Sequence, residues 1–448
     1  MKDTTAIKKV LLTCILNVFW LVLTALPAEA HKREPEPIDK GYYKDLFMDG
    51  GIMLTSRNTL PAADLLGLSM EHLCTTEAGD TNAISTYERA LQDKLIIGSS
   101  MDENGILLYP DGEPRFRLVY VNGGKATLHG CSLTPEGVER IQQFVAAGGS
   151  YVGTCAGAFF ASKGILTPDG GKVNTAYSAV WDGFTHNTGL DHSYTALLVT
   201  KKSPLLKYYD FGGDRRIDSV YHNGGCYMPE GNSIPMGTEV LLRYDGDTLH
   251  LDESIHQHVN AWAYKESDNS GRVVVTGSHP EGETSGERLE MFASMLRYAL
   301  DGNGKPAIKA ELADSIAREM VLCTHDGDPS HTRIGDKQYH HFIINVPKKT
   351  KEVSIELKPF NKWSDIDLFL YASSRQLAFN TTATYYNVEK GMSKKLRIKK
   401  PQAGKLYVSV FCNTTVGATE TKNGEQYTSH LEVLNGVPYT IIANLEKE

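Results

Sequence analysis

Short apolar runs alternate with amphipathic ones along the first three hundred residues. "KDLFMDGG" (44–51) is expected to be the first strand, ending at Gly50-Gly51. "FRLVYVNGG" (116–124) has the pattern of a strand entering a glycine turn. "TPEGVERIQQFVAAGG" (134–149) predicts a helix with Thr134 as N-cap, Pro135 at the first helical position, and Val138, Ile141, Phe144 and Val145 on one face. "SYVGTC" (150–155) predicts the next strand, and a short helix is expected from Ala156 to Lys163, stopped by Gly164. Further strands are expected in "YTALLVT" (194–200), "SVYHNGG" (219–225), "TEVLLRY" (238–244), "VNAWAYK" (259–265) and "GRVVVTGSHPE" (271–281). Residues 284–301 carry Leu289, Phe292, Met295, Leu296 and Leu300 at helical spacing, and "AIKAELADSIAREMVL" (307–322) predicts one more helix. Alternation of this kind implies a mainly parallel sheet covered by helices.

From about residue 336 the period changes from 3.6 to 2. "HHFIINV", "EVSIELKPF", "DIDLFLYAS", "KKLRIKK", "KLYVSVFC", "TSHLEVL" and "VPYTIIANL" are alternating segments separated by turn residues, the pattern of an all-β sandwich of roughly seven strands. The expected organisation is a leader over 1–30, an α/β domain over 31–305, a helical connector over 306–335 and the sandwich over 336–448.

The beginning of the chain adds a compartment. Lys8-Lys9 precede an apolar run from Val10 to Leu26, and "LPAEA" ends at Ala30. This is the pattern of a secretory signal cleaved after Ala30, with an uncleaved anchor as the alternative. The expected location is periplasmic or extracellular, without stable membrane insertion once the leader is removed. A formal charge of −8 over 448 residues lacks the basic face that a nucleic-acid partner requires. Of the chain's 7 cysteines, Cys14 falls in the leader, leaving Cys74, Cys131, Cys155, Cys226, Cys323 and Cys412, with no bridge assignable from spacing.

One of these cysteines sits in "GTCAG", Gly153 to Gly157, the nucleophile-elbow spacing with sulfur in place of oxygen. Small flanking residues let a strand turn sharply into a helix and lift the nucleophile clear of the sheet. The amides at the start of that helix favour a thiolate. The competing reading is a small buried thiol at a tight junction. For a base, His279 follows an apolar strand, at the end where parallel sheets place their sites. Glu281 stands two residues on, with Pro280 biasing His279 towards extended backbone. The carboxylate can hold the second ring nitrogen, in the manner of a triad's third member; a plain turn is the alternative. Oxyanion donors are expected from the Ala156 amide and from the Gly123-Gly124 turn. "HNGGCY" (222–227) supplies a second such turn, so Asn223, Gly224 and Gly225 are expected to line the pocket, while His222 and Cys226 are too weakly specified to be catalytic. No spacing of Cys and His fits a zinc site and no phosphate loop is evident, so neither metal nor other cofactor is expected.

Taken together, "VNGG", "GTCAGA" and "GSHPE" resemble, in order and context, class I glutamine amidotransferase-like domains, and among these the N-terminal domain of biotin-protein ligases. The resemblance covers roughly residues 41–302. It implies a flavodoxin-like, doubly wound α/β fold and a Cys-His-Glu triad of Cys155, His279 and Glu281, with Gly123, Gly124 and Ala156 at the oxyanion. The stretch between Cys155 and His279 is longer than in compact amidotransferases, so an insertion over about 165–235 is expected to reshape the pocket. "SDIDLFLYAS" and "AGKLYVSV" resemble the pre-peptidase C-terminal sandwich of secreted hydrolases; Asp365 and Asp367 there are expected to fix turns rather than hold calcium. The leading expectation is an exported cysteine hydrolase acting on a peptide or small amide through a thioester, its sandwich binding protein or glycan. A non-catalytic binding module and a glutaminase subunit that needs a partner are the alternatives.

Overall fold

The computed structural model describes residues 41–49, 60–71, 96–100, 102–231, 234–246, 255–323, 327–360, 365–421 and 424–447. The expected leader, its cleavage site, Gly50-Gly51 and Cys74 lie outside them. All described residues belong to one compact unit spanning Glu36–Glu448.

In chain order the first part comprises β1 (Lys44–Asp49), α1 (Pro61–Leu66), β2 (Met70–Glu71), β3 (Phe116–Val121), α2 (Ala126–Ala146), β4 (Ser150–Thr154), α3 (Ala156–Ala161), β5 (Gly164–Thr167), β6 (Gly170–Val173), β7 (Phe184–Asn187), β8 (Ser193–Val199), β9 (Arg216–His222), β10 (Cys226–Tyr227), β11 (Glu239–Asp245), β12 (Val259–Lys265), β13 (Arg272–Thr276) and α4 (Gly286–Leu300). Nine of the strands form one sheet in the order β2-β1-β3-β4-β13-β12-β11-β8-β9. Pairing is parallel from β2 through β13 and antiparallel from β13 to β9. β3 and β4 are buried at every position, as strands covered on both faces must be. Leu118 and Tyr120 face a core shared with α1 and α4, while Val119 and Val121 face α2 and α3. The domain is therefore α/β and doubly wound, its parallel half carrying the expected elbow.

α2 is two helical segments meeting at Thr134, whose φ of 60° and ψ of 171° interrupt the helix. Thr134 is thus a junction, and Pro135, lacking an N–H, opens the second segment as the sequence implies. The segment between Cys155 and His279 builds a second sheet, β10-β7-β5-β6, and supplies β8, β9, β11, β12 and β13 to the large one.

The remainder is a β-sandwich. One sheet runs β14-β16-β21-β18-β19, using β14 (Ile308–Glu311), β16 (Tyr339–Val346), β18 (Leu368–Ser373), β19 (Tyr385–Asn387) and β21 (Gly404–Cys412). The other runs β15-β24-β17-β20, from β15 (Ala317–Met320), β17 (Thr350–Pro359), β20 (Lys394–Lys399) and β24 (Tyr439–Lys447). A hairpin of β22 (Gly417–Thr421) and β23 (Gly424–Ser429) completes it. β20 alternates strictly between buried and exposed positions, as the two-residue period requires. Asp367 accepts the Gly391 N–H at 2.6 Å, a turn-fixing role.

The expected helical connector at 306–335 is not formed. β14 and β15 take its place, paired with β16 and β24. Ala, Ile, Leu and Met recur there at a spacing that also suits a helix, but Lys309 is drawn inward by partners far away in sequence. Its ammonium lies 2.6 Å from Asp111 and 2.8 Å from Glu113. Open strand edges and a buried ion pair thus override helical propensity. Arg115 and Asp336 make a second buried pair across the same seam, through two bonds of 3.1 and 2.8 Å.

Candidate functional site

Three turns at the C-terminal ends of β3, β4 and β13 converge. Asn122-Gly123-Gly124 follows β3, Cys155 follows β4, and Ser278-His279 follows β13. This is where a parallel sheet leaves side chains and amides facing a common crevice.

The elbow is held by backbone packing. A Cβ on Gly157 would lie 2.1 Å from the Val121 carbonyl oxygen, and one on Gly153 would lie 2.7 Å from the Gly157 backbone. Both glycines are therefore required by close approach. The Tyr151 hydroxyl donates to the Gly157 carbonyl at 2.7 Å, and the Cys155 N–H donates to Thr276 at 2.9 Å. Cys155 itself has φ 47° and ψ −104°. A non-glycine residue in such a region costs about 1–3 kcal/mol and persists only where its surroundings impose it. Here the imposed turn aims the thiol out of the sheet while leaving the residue 5% exposed. Ala156 is the first residue of α3, so the helix's own ladder does not engage its amide. With only six residues, α3 contributes free amides more than a large dipole.

His279 Nδ1 meets Glu281 Oε1 at 2.8 Å, which leaves Nε2 for the thiol. The imidazole lies against Gly123, where a Cβ would come within 2.5 Å of Cε1. The His279 N–H donates to the Tyr221 carbonyl at 3.0 Å, and the two rings lie 5.8 Å apart. Burial pushes the His279 imidazole down, but hydrogen bonds to Cys155 and Glu281, with their negative charge, outweigh it and lift the pKa to about 10.

A cavity of about 730 Å³ opens here, with Gly123, Gly124, Cys155, Asn223, His279 and Glu281 in its wall. A second cavity, of about 520 Å³, shares Gly124, Lys125, Cys155 and Asn223 with the first and adds Ala156, Gly224 and Gly225. All nine sequence-derived site residues thus line one of the two. Gly123 also makes room for the imidazole, and Gly224, whose N–H is given to the Leu190 carbonyl at 2.6 Å, lines the wall as expected. The Asn223 carbonyl oxygen sits 3.8 Å from the Cys155 sulfur.

His222 and Cys226 lie beneath the site. His222 is fully buried, its Nε2 is 2.7 Å from Thr195 Oγ1, and burial, followed by the charge of His279, lowers its pKa to about 3. Burial pushes the Cys226 thiol well above its ordinary value. Neither suits proton transfer at neutral pH. Lys125, His192, Tyr194, Tyr221, Glu283 and Arg288 also line the larger cavity. None of these was singled out in the sequence; Tyr194 and Tyr221 arrive through β8 and β9, Arg288 through α4, and the others through adjoining loops. Among the described residues no group of three or more His, Cys, Asp or Glu is arranged to hold a metal.

Comparison with known proteins supplies a family. The family model described as "Biotin-protein ligase, N terminal" matches residues 74–299. A search of the curated proteins finds no match. Solved structures with similarity include a glutamine amidotransferase, 18% identical over 41% of this chain and 80% of that one, with a TM-score of 0.28. A structure described as a GMP synthase component from Thermoplasma acidophilum is 12% identical over 58% and 96%, with a TM-score of 0.32. The pre-peptidase C-terminal domain of a Bacillus anthracis collagenase is 13% identical over 32% and 100%, with a TM-score of 0.19.

Proposed function

The chain belongs to the biotin-protein ligase N-terminal family, and on that premise we propose that it is a cysteine hydrolase cleaving an amide or peptide bond through Cys155, His279 and Glu281. The observation that carries this reading is the strained Cys155 elbow opening on the same cavity wall as the His279–Glu281 pair, whose Nδ1 and Oε1 lie 2.8 Å apart.

In this reading the Cys155 thiolate adds to the amide carbonyl, and the oxyanion is met by the Ala156 amide with a second donor at the Gly123-Gly124 turn. The protonated His279 gives its Nε2 proton to the leaving nitrogen as the C–N bond breaks, yielding an amine and a thioester on Cys155. The neutral imidazole then takes a proton from water, whose oxygen adds to the thioester carbonyl. Breaking the C–S bond releases a carboxylic acid and restores the thiolate and imidazolium pair. Glu281 keeps the ring oriented and stabilises its charged form throughout.

Export is part of the same proposal, supported by the leader pattern up to Ala30; N-terminal sequencing of secreted protein should begin at His31. The sandwich is proposed as a pre-peptidase C-terminal-like module that docks protein or glycan.

The test is incubation of the purified protein with a library of peptides and small amides, with intact mass recorded during turnover. The reading expects release of acid and amine, an acyl adduct on Cys155, and loss of both in Cys155→Ala. Turnover that survives in Cys155→Ala would overturn it, and a library bound but left uncleaved would favour a binding module.

A further inference from the structure

Resting on that reading, we infer that the substrate is an N-substituted amide with an apolar acyl side, seated against Phe159, Ile165 and Tyr177, and a leaving amine much larger than ammonia. The argument begins with where the two halves of a substrate must go. The proton that frees the amine comes from His279, so the leaving nitrogen lies on the side of the cavity that contains His279 and Glu281. The second cavity meets the first at Cys155 and is lined by neither residue, but Ala156 is in its wall. The acyl substituent therefore extends into the second cavity.

That cavity is chemically simple. Phe159 and Ile165 are half-buried and Tyr177 is 6% exposed, and with Ala126 and Leu128 they make its apolar face, beside the neutral polar side chains of Thr127, Asn187 and Asn223. Lys125 is the one charged side chain among the residues lining it, and no carboxylate does. A free glutamine would bring its α-ammonium to a wall with no carboxylate to pair it, Lys125 being able to meet only its α-carboxylate. An aliphatic or aromatic chain gains from burial against the same wall. Ile165, Tyr177 and Asn187 belong to the segment that separates Cys155 from His279, so this chain's additional structure builds its acyl side.

The leaving side points the same way. It measures about 730 Å³, whereas a molecule the size of water occupies roughly 30 Å³ of liquid. Its wall carries Tyr194, Tyr221 and the Glu283–Arg288 pair, groups that ammonia alone would leave untouched.

Two measurements on the full chain test this. In the first, N-acetyl-leucyl and N-acetyl-phenylalanyl chloromethyl ketones, and a glutaminyl reagent with free α-ammonium and α-carboxylate and a chloromethyl ketone in place of its side-chain amide, alkylate the protein, and each rate at Cys155 is divided by that of iodoacetamide on the same sample. The leucyl or phenylalanyl reagent should win by roughly tenfold or more, and Ile165→Asp should narrow that margin. A faster glutaminyl reagent overturns the inference and leaves the nucleophile intact. If no ketone alkylates Cys155, the nucleophile reading falls and this inference falls with it. In the second, N-acetyl-leucine aminomethylcoumarin amide should be cleaved at least tenfold faster than the primary amide of N-acetyl-leucine. Preference for the primary amide overturns the assignment of a bulky leaving amine.

Discussion

The imidazole of His279 rests on Gly123 so closely that a methyl group there would lie 2.5 Å from Cε1 and 3.1 Å from Nδ1. A side chain at 123 must therefore push the ring away from Glu281, from the thiol, or from both. Gly123→Ala should lower kcat by about a hundredfold, since a displacement near 1 Å is enough to lose that much. Its melting temperature should stay within a few degrees of the parent. Full activity in Gly123→Ala would mean that the ring's position is not what the chemistry depends on.

Cys155 and Glu281 together raise the pH range over which His279 keeps its proton, against the opposing effect of burial. The folded pKa is raised from the ordinary value of 6.5 to about 10, so stabilisation by the charged ring is complete below 6.5 and is lost as pH rises through 10. Activity that needs the imidazolium should fall along the same alkaline limb. Glu281→Gln keeps a hydrogen-bond partner and removes the charge, so the limb should move down by about one to three units. A pH–rate profile of both proteins checks this, and an unmoved limb would detach Glu281 from the ring's ionisation.

The seam between the α/β part and the sandwich should behave as a structural joint. Arg115 and Asp336 are both about 1% exposed, and the guanidinium also lies 4.1 Å over the Tyr43 ring. Asp336→Asn leaves a buried cation without its counter-charge, which should cost about 3–5 kcal/mol. Denaturant unfolding measures that loss. Limited proteolysis should cut between residues 302 and 336 more readily in Asp336→Asn than in the parent, because β14 and β15 lie within that stretch.

The parts of this molecule legible in the sequence are those where local chemistry leaves little choice. Gly153 and Gly157 abut backbone, so the elbow shows itself in small residues around Cys155. His279 and Glu281 are two residues apart at a strand end, and nothing distant is needed to bring them together. The cavity wall was hidden for the opposite reason: Tyr194 and Tyr221 face one another across an antiparallel pair whose register no local pattern reveals. Residues 307–322 were misleading because their apolar spacing fits a helix, whereas Lys309 answers to Asp111 and Glu113 nearly two hundred residues earlier. Thr134 was legible as a cap but not as a joint, since the preceding helical turns contain His129, Gly130 and Ser132, which propensity alone does not favour.

The most direct test of the central claim uses the protein's own cysteines as references. Cys131 is exposed, whereas Cys155 and Cys226 are buried. On exposure alone, iodoacetamide should modify Cys131 first. If His279 holds Cys155 as a reactive thiolate, Cys155 should instead be alkylated at least tenfold faster than Cys131 at pH 6.5, with Cys226 inert, and His279→Ala should abolish that lead. Site-resolved mass spectrometry over a time course reads all three rates in one sample. A Cys155 that reacts more slowly than Cys131, or equally fast with and without His279, would contradict the account.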